Sequence, residues 1–307
     1  MKILVTGSEG LIGSELCPRL EAKGHTVVRF DKKLYFDERR NTRLDVCVAE
    51  PIHHYVSWEE VDGIVHLAAC SRVILGEKDP NGCIETNIAG TTNVLRAAQN
   101  SFKKPWVLFA SSREVYGNPP FFPVVEGCPV LPISVYGRTK AVGEDLVLGA
   151  RRSGLTTGVI RLSNVYGSTS DHPDRAVPAF ARVAAYGGTI GLAGPRKTFD
   201  FVHVSDAARG LALACERLSY DEAPPPIIQL TTNVGTELGS IVREAAKLAG
   251  QKMLKVEINR LPNHPSEVVE FVGENRRAET ELGWKPEVAF MDGFRRLVLD
   301  YESERKA

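Results

Sequence analysis

Lys2-Ile3-Leu4-Val5-Thr6-Gly7-Ser8-Glu9-Gly10-Leu11-Ile12-Gly13 opens this chain of 307 residues. A short apolar run ends in glycines, and a helical pattern follows over 12–23 with Gly24 as its stop. Strand, glycine turn and helix bring backbone N–H groups together at a helix N-terminus, where a pyrophosphate can approach closely. The spacing is G-x-x-G-x-x-G rather than G-x-G-x-x-G, but the physics is shared, and Gly7, Gly10, Leu11, Ile12 and Gly13 are the expected cofactor contacts. Asp31 closes the next apolar run, 26–30, where a carboxylate can accept from the adenosine ribose hydroxyls and repel a 2′-phosphate. In that register it predicts NAD rather than NADP; taken alone it would read as a surface loop acid. Asp45 and Val46 read either as adenine contacts or as a solvated turn.

Working outward, apolar runs over 63–67, 106–110 and 157–161 alternate with helical patterns over 87–100 and 135–152. Continuous apolar strands between helices imply a parallel sheet covered on both faces. The expected fold is therefore α/β, a Rossmann-type doubly wound parallel sheet. Beyond about residue 165 the pattern loosens: glycine and proline cluster over 187–195, and Ala223-Pro224-Pro225-Pro226 breaks a helix. Helices are expected over 239–249 and 290–301 and a strand over 253–258. This predicts a smaller interleaved C-terminal substrate lobe. The expected division is 1–164, with 197–222 returning to it, against 165–196 and 223–307.

Lys+Arg and Asp+Glu both number 38, so the formal net charge is zero and nothing favours a nucleic-acid or membrane-surface partner. No apolar run is long enough to span a bilayer and no signal peptide is evident. The six cysteines form no C-x-x-C pair and read as reduced thiols of a cytoplasmic protein. Neither they nor His53-His54 show metal-ligand spacing.

Ser134-Val135-Tyr136-Gly137-Arg138-Thr139-Lys140 follows Ser111-Ser112-Arg113-Glu114-Val115-Tyr116-Gly117. Tyr136 and Lys140, four apart, share one helix face. An ammonium beside a phenol lowers its pKa, and a lowered pKa makes a base that can take a proton from an alcohol while a cofactor takes the hydride. His66, ending a buried strand, reads as a satisfied buried histidine.

With Gly7, Gly10, Gly13, Ser112, Tyr136 and Lys140 in order, the chain resembles the extended short-chain dehydrogenase/reductase family, and within it the nucleotide-sugar epimerases and dehydratases. The resemblance extends through Val65-His66-Leu67-Ala68-Ala69, Asn87-Ile88-Ala89-Gly90-Thr91, Arg161-Leu162-Ser163-Asn164-Val165-Tyr166-Gly167, the segment 199–206 and Leu282-Gly283-Trp284-Lys285-Pro286. It implies transient oxidation at sugar C4. Tyr136 would be the base and Lys140 would lower its pKa and hold the nicotinamide ribose. Ser112 would bond the same sugar oxygen, and Leu67, Ala68 and Ala69 would line the NAD site. Asn164 would contact the nucleotide diphosphate, Asn87 would tie backbone together around the site, and Tyr116 would be packing. A homodimer through helices 87–100 and 135–152 is also implied.

The resemblance divides on the reaction. Plain 4-epimerases carry small or neutral residues after the catalytic hydroxyl, whereas dehydratases and decarboxylases carry a glutamate at the position of Glu114, making it a further candidate catalytic residue. Arg113 stands where dehydratases place an acid, and arginine is a poor proton donor; it could pair with a uronate carboxylate or form a structural ion pair. The chain is also short for such a dehydratase. A 4-epimerase is the leading reading, with a dehydratase or decarboxylase using Glu114, or an NAD-dependent dehydrogenase of a non-nucleotide alcohol, as alternatives. Relatives clamp the diphosphate with an arginine shortly before a Gly-Asp or Gly-Glu pair. Here the region is Arg260-Leu261-Pro262-Asn263-His264-Pro265-Ser266-Glu267, so either Arg260 or His264 substitutes, with Arg196 and Lys197 as further sources of charge near Phe199, or the nucleotide is held differently.

Overall fold

A computed structural model describes residues 1–37, 42–220, 225–250, 252–259 and 266–305. Six strands form one fully parallel sheet in the spatial order Ile227–Leu230, Thr157–Leu162, Trp106–Ser112, Gly63–His66, Lys2–Thr6, Thr26–Phe30. Apolar and β-branched residues fill these strands because both faces are covered. Helices Gly13–Ala22 and Val204–Tyr220 lie on one face, and Ala49–Trp58, Gly90–Asn100 and Val135–Arg152 on the other. The chain runs outward from Lys2–Thr6 to Thr26–Phe30 and then crosses back to Gly63–His66. A crevice opens beyond the carboxyl ends of strands at such a reversal, and the glycine turn lies there.

The smaller lobe has its own core, including Tyr166, Phe180, Ile190, Phe271, Phe294 and Tyr301. Helices Ala176–Tyr186, Leu238–Ala249 and Phe290–Glu304 surround it, with the parallel pair Gly188–Ala193 and Leu254–Asn259. Strand Thr198–His203 sits between Asn164–Tyr166 and Gly235–Glu237 in a separate three-stranded sheet.

Two boundaries differ from expectation. The segment 223–307 does not all belong to the smaller lobe: Ile227–Leu230 is the outer strand of the large sheet, and Ala278 and Trp284 are fully buried in the core beneath it. Strand Thr198–His203 lies outside the large sheet and straddles the two cores, sending Val202 to the large one and Phe199 and Phe201 to the smaller. A polyproline break masked the edge strand, whose four residues are too few to show a period. The expected helix over 87–100 begins as a π-helical turn, Glu85–Ala89, joined to Gly90–Asn100. One further residue per turn carries Asn87 inward, where its side chain meets the site.

Candidate active site

Gly7 adopts φ +72°, and a Cβ there would lie 2.8 Å from the Ala68 nitrogen. Glycine therefore lets the first turn lie directly against Leu67 and Ala68. The Gly7 N–H donates to the Phe30 carbonyl at 2.8 Å, joining the turn to the second strand. The N–H groups of Leu11 and Ile12 find no acceptor among the described residues, and helix Gly13–Ala22 runs away behind them. Unsatisfied donors at a helix start suit an anion.

Asp31 is nearly buried at the end of the second strand. Its Oδ2 accepts from the Glu9 N–H at 3.1 Å and its Oδ1 from the Lys33 N–H at 3.0 Å, fixing the carboxylate over the glycine turn. Asp45 Oδ1 accepts from the Cys47 N–H at 2.9 Å, and the Val46 carbonyl accepts from Asn93 Nδ2 at 2.9 Å. These residues fit a dinucleotide: free N–H donors for its phosphates and a fixed carboxylate for a ribose. Ala69 continues the same loop, and Asn87 holds it: Asn87 Oδ1 accepts from the Cys70 N–H at 2.8 Å, while Nδ2 donates to Thr139 Oγ1 at 2.8 Å.

Ser112 is the last residue of its strand, and Ser134 starts helix Val135–Arg152 by accepting the Gly137 N–H at 2.9 Å. The two elements bring Ser112 to Tyr136, close enough for its side chain to act on the phenol. The expectation of a lowered Tyr136 pKa needs correcting. Burial pushes the phenol up to about 12; the Ser112 side chain opposes the shift and the Glu114 carboxylate adds to it. Lys140 is turned elsewhere: its Nζ donates to the Ala110 carbonyl at 2.8 Å and lies 4.7 Å from the centre of the Phe109 ring. Burial lowers this lysine to about 8. Spacing put both residues on one helix face, but it reveals neither the burial of the phenol nor the turn of the Lys140 ammonium to Ala110.

Arg113 is drawn inward. Its Nη2 pairs with Glu114 Oε1 at 2.8 Å, its Nε donates to Asn164 Oδ1 at 3.1 Å, and its guanidinium lies 5.1 Å from the Phe199 ring centre and 5.7 Å from that of Phe271. Asn164 Nδ2 donates to the Asp200 carbonyl at 3.1 Å. Glu114 also gives its N–H to Ser112 Oγ at 3.2 Å. Arg196 is exposed in the turn before Thr198–His203, and Lys197 pairs with Glu267 at 2.7 Å. His264 and Arg260 lie outside the described residues.

Beneath the site runs a polar network missed in the sequence. Arg161 grips Glu144 through Nε–Oε1 at 2.9 Å and Nη2–Oε2 at 2.6 Å, and its Nη1 donates to the Tyr116 hydroxyl at 2.9 Å. Tyr116 donates to Gln229 Oε1 at 2.9 Å, and Ser111 donates to Glu144 Oε1 at 2.5 Å. Tyr116, pushed up to about 12 by burial, is thus a packed structural group. An arginine inside the apolar run 157–161 was the available signal. Phe271, in irregular chain, carried none. His66 is fully buried between the hydroxyls of Thr6 at 2.7 Å and Thr91 at 3.0 Å, and burial, helped by the Lys140 charge, lowers it to about 3.

A sequence profile described as the NAD dependent epimerase/dehydratase family matches residues 3–230. The chain is 31% identical to a UDP-glucose 4-epimerase of Mycolicibacterium smegmatis, with 97% of each chain covered. It is 30% identical to UDP-glucuronic acid decarboxylase 6 of Arabidopsis thaliana, over 98% of this chain and 89% of that one. The crystal structure of a Thermus thermophilus UDP-glucose 4-epimerase in complex with NAD superposes with a TM-score of 0.86 at 27% identity, covering 98% of this chain and 99% of the other.

Proposed function

Because the chain belongs to the NAD dependent epimerase/dehydratase family, we propose that it interconverts the C4 epimers of a nucleotide sugar through transient oxidation at C4. The observation that carries this reading is the approach of Ser112, at the carboxyl end of its strand, to the buried Tyr136 on the next helix. NAD, when bound, supplies the hydride acceptor and returns the hydride. Gly7, Gly10, Leu11, Ile12 and Gly13 hold its pyrophosphate, Asp31 a ribose, and Leu67, Ala68 and Ala69 flank it, with Asp45 and Val46 beyond.

Tyr136 takes the C4 hydroxyl proton and gives it back, while Ser112 holds the same oxygen. Lys140, one turn further along the helix, supplies positive charge and a donor for the cofactor ribose. A phenol near 12 is a weak acid in the chain alone, and the positive nicotinamide that NAD would bring is the charge of the right sign to lower it. Asn164 and Arg113 face the substrate, and Arg196 and His264 are candidates for the diphosphate. Glu114 positions in this reading. The second reading, decarboxylation or dehydration, is favoured by the free Oε2 of the buried Glu114 beside Ser112 and by the decarboxylase relative.

NMR and mass analysis of turnover in heavy water separates them, with UDP-glucose, UDP-galactose, their N-acetyl forms, UDP-glucuronate and dTDP-glucose as substrates. An isomer of unchanged mass with no deuterium at C5 supports the 4-epimerase. Loss of water or carbon dioxide supports the second reading. No turnover of any of them points to a dehydrogenase of a non-nucleotide alcohol.

A homodimer is part of the proposal. A groove of about 480 Å³, lined in part by Leu95, Val142 and Leu146, runs along helices Gly90–Asn100 and Val135–Arg152. Six free cysteines support a reducing cytoplasmic setting. No described helix is long and apolar enough to cross a membrane.

A further inference from the structure

We propose that the short helix Val73–Lys78 ties the smaller lobe to the catalytic base, with Arg72 at its start and Glu77 near its end as positioning residues for Tyr136. The tie serves the C4-oxidation reading above and rests on Tyr136 being its base. Arg72 directly precedes the helix and pairs with Asp174, in the chain that leads into helix Ala176–Tyr186 of the smaller lobe. The guanidinium keeps 14% exposure and the carboxylate 55%. A guanidinium buried to that extent is costly to leave without its carboxylate, and its hydrogen bond holds Asp174 below the usual carboxylate range.

The chain before Arg72 has little slack. Asn87 binds both the N–H of Cys70, at 2.8 Å, and the Cys70 carbonyl, at 3.2 Å. Movement of Asp174 is therefore passed to the helix rather than absorbed by a loose loop.

At the other end, Glu77 Oε1 accepts the Val135 N–H at 2.9 Å. Val135 is the first residue of the helix that carries Tyr136, and its N–H is one of the donors that a helix cannot satisfy internally. A carboxylate there also meets the positive end of the helix dipole. Between the two ends, Gly76 lies against the base itself: a Cβ at Gly76 would sit 3.3 Å from the Tyr136 nitrogen and 3.6 Å from the Tyr136 Cβ. The phenol lies between the two sides of the tie. Cys70, two residues before Arg72, and Arg175, next to Asp174, are both close enough for their charges to act on it. A displacement of about 1 Å can cost a reaction about 100-fold, so the place of the smaller lobe reaches the chemistry through Arg72, the short helix and Glu77.

The test combines kinetics of the NAD-loaded protein, beginning with UDP-galactose among the sugar nucleotides above, with hydrogen exchange of peptides covering 134–140. Arg72→Gln and Asp174→Asn should each lower kcat about tenfold or more, with NAD affinity retained. Both should also speed exchange at the start of the Tyr136 helix, which neither residue touches. The reversed pair, Arg72→Asp with Asp174→Arg, should recover much of both effects. Glu77→Leu should reproduce the loss, and Glu77→Gln, which keeps an acceptor for the Val135 N–H, should recover most of it. A folded Asp174→Asn protein with parental kcat and parental exchange overturns the inference, as does a Glu77→Leu protein whose melting temperature falls while kcat holds. These two variants decide the matter if Arg72→Gln does not fold. Absence of turnover by the parent with every sugar nucleotide removes the C4-oxidation reading, and the exchange measurement then decides the tie on its own.

Discussion

At the scale of single residues, the chemistry rests on which polar atoms are buried and what each one touches. Tyr136→Phe removes the phenolic oxygen but little volume, so kcat should fall by about 10²–10⁴-fold while NAD still binds; steady-state kinetics beside a cofactor titration checks both. His66 gives a pH prediction. Its folded pKa, about 3, lies below its ordinary value near 6.5, so the unfolded chain binds more protons between these limits. Its contribution is full above pH 6.5 and is lost as pH falls toward 3, about 3 kcal/mol by pH 4. Thermal melts from pH 7 to 4 should therefore fall less steeply for His66→Gln than for the parent. Much of this layer was legible in the sequence. Helix geometry puts Tyr136 and Lys140 one turn apart on the same helix, and Asn87 and His66 have the structural roles read for them. What spacing could not carry was desolvation, which reverses the direction of the Tyr136 shift, and the inward turn of Arg113 toward aromatic rings supplied from distant parts of the chain.

At the scale of elements, Arg161 and Glu144 join strand Thr157–Leu162 to helix Val135–Arg152, and Tyr116 and Gln229 extend that junction to the sheet edge. Removing one partner leaves the other charge buried and alone. Arg161→Met should cost about 3–5 kcal/mol, and the double change with Glu144→Leu should restore a large part of it. Urea unfolding of the two variants measures the difference. The strands of the large sheet were readable because continuous apolar runs mark strands covered on both faces. Ile227–Leu230 was not, since four residues after a proline run carry no period. The π-helical turn at Glu85–Ala89 was hidden for a related reason: the apolar pattern through 87–100 continues while the backbone widens.

At the scale of the molecule, two cores share one cleft, and the helices that support Tyr136 also form the outer surface proposed for self-association. Val142, 39% exposed, faces that surface. Val142→Glu should shift the protein from dimer to monomer in light scattering at micromolar concentration while its NAD affinity stays close to that of the parent. The α/β architecture and the presence of a second lobe followed from the alternation of patterns and its loss near residue 165. The placement of 223–307 did not, because strand Ile227–Leu230 and the fully buried Trp284 return to the large core from within the lobe's stretch of chain. That interleaving has a consequence during synthesis. The large sheet lacks its last strand until residue 230 has left the ribosome, and the Tyr116–Arg161 junction lacks Gln229 until the same moment. The nascent nucleotide half must therefore wait, with the flank of Thr157–Leu162 open, while the first part of its future neighbour is translated. A chain cut before residue 227 would therefore leave the large sheet without its last strand.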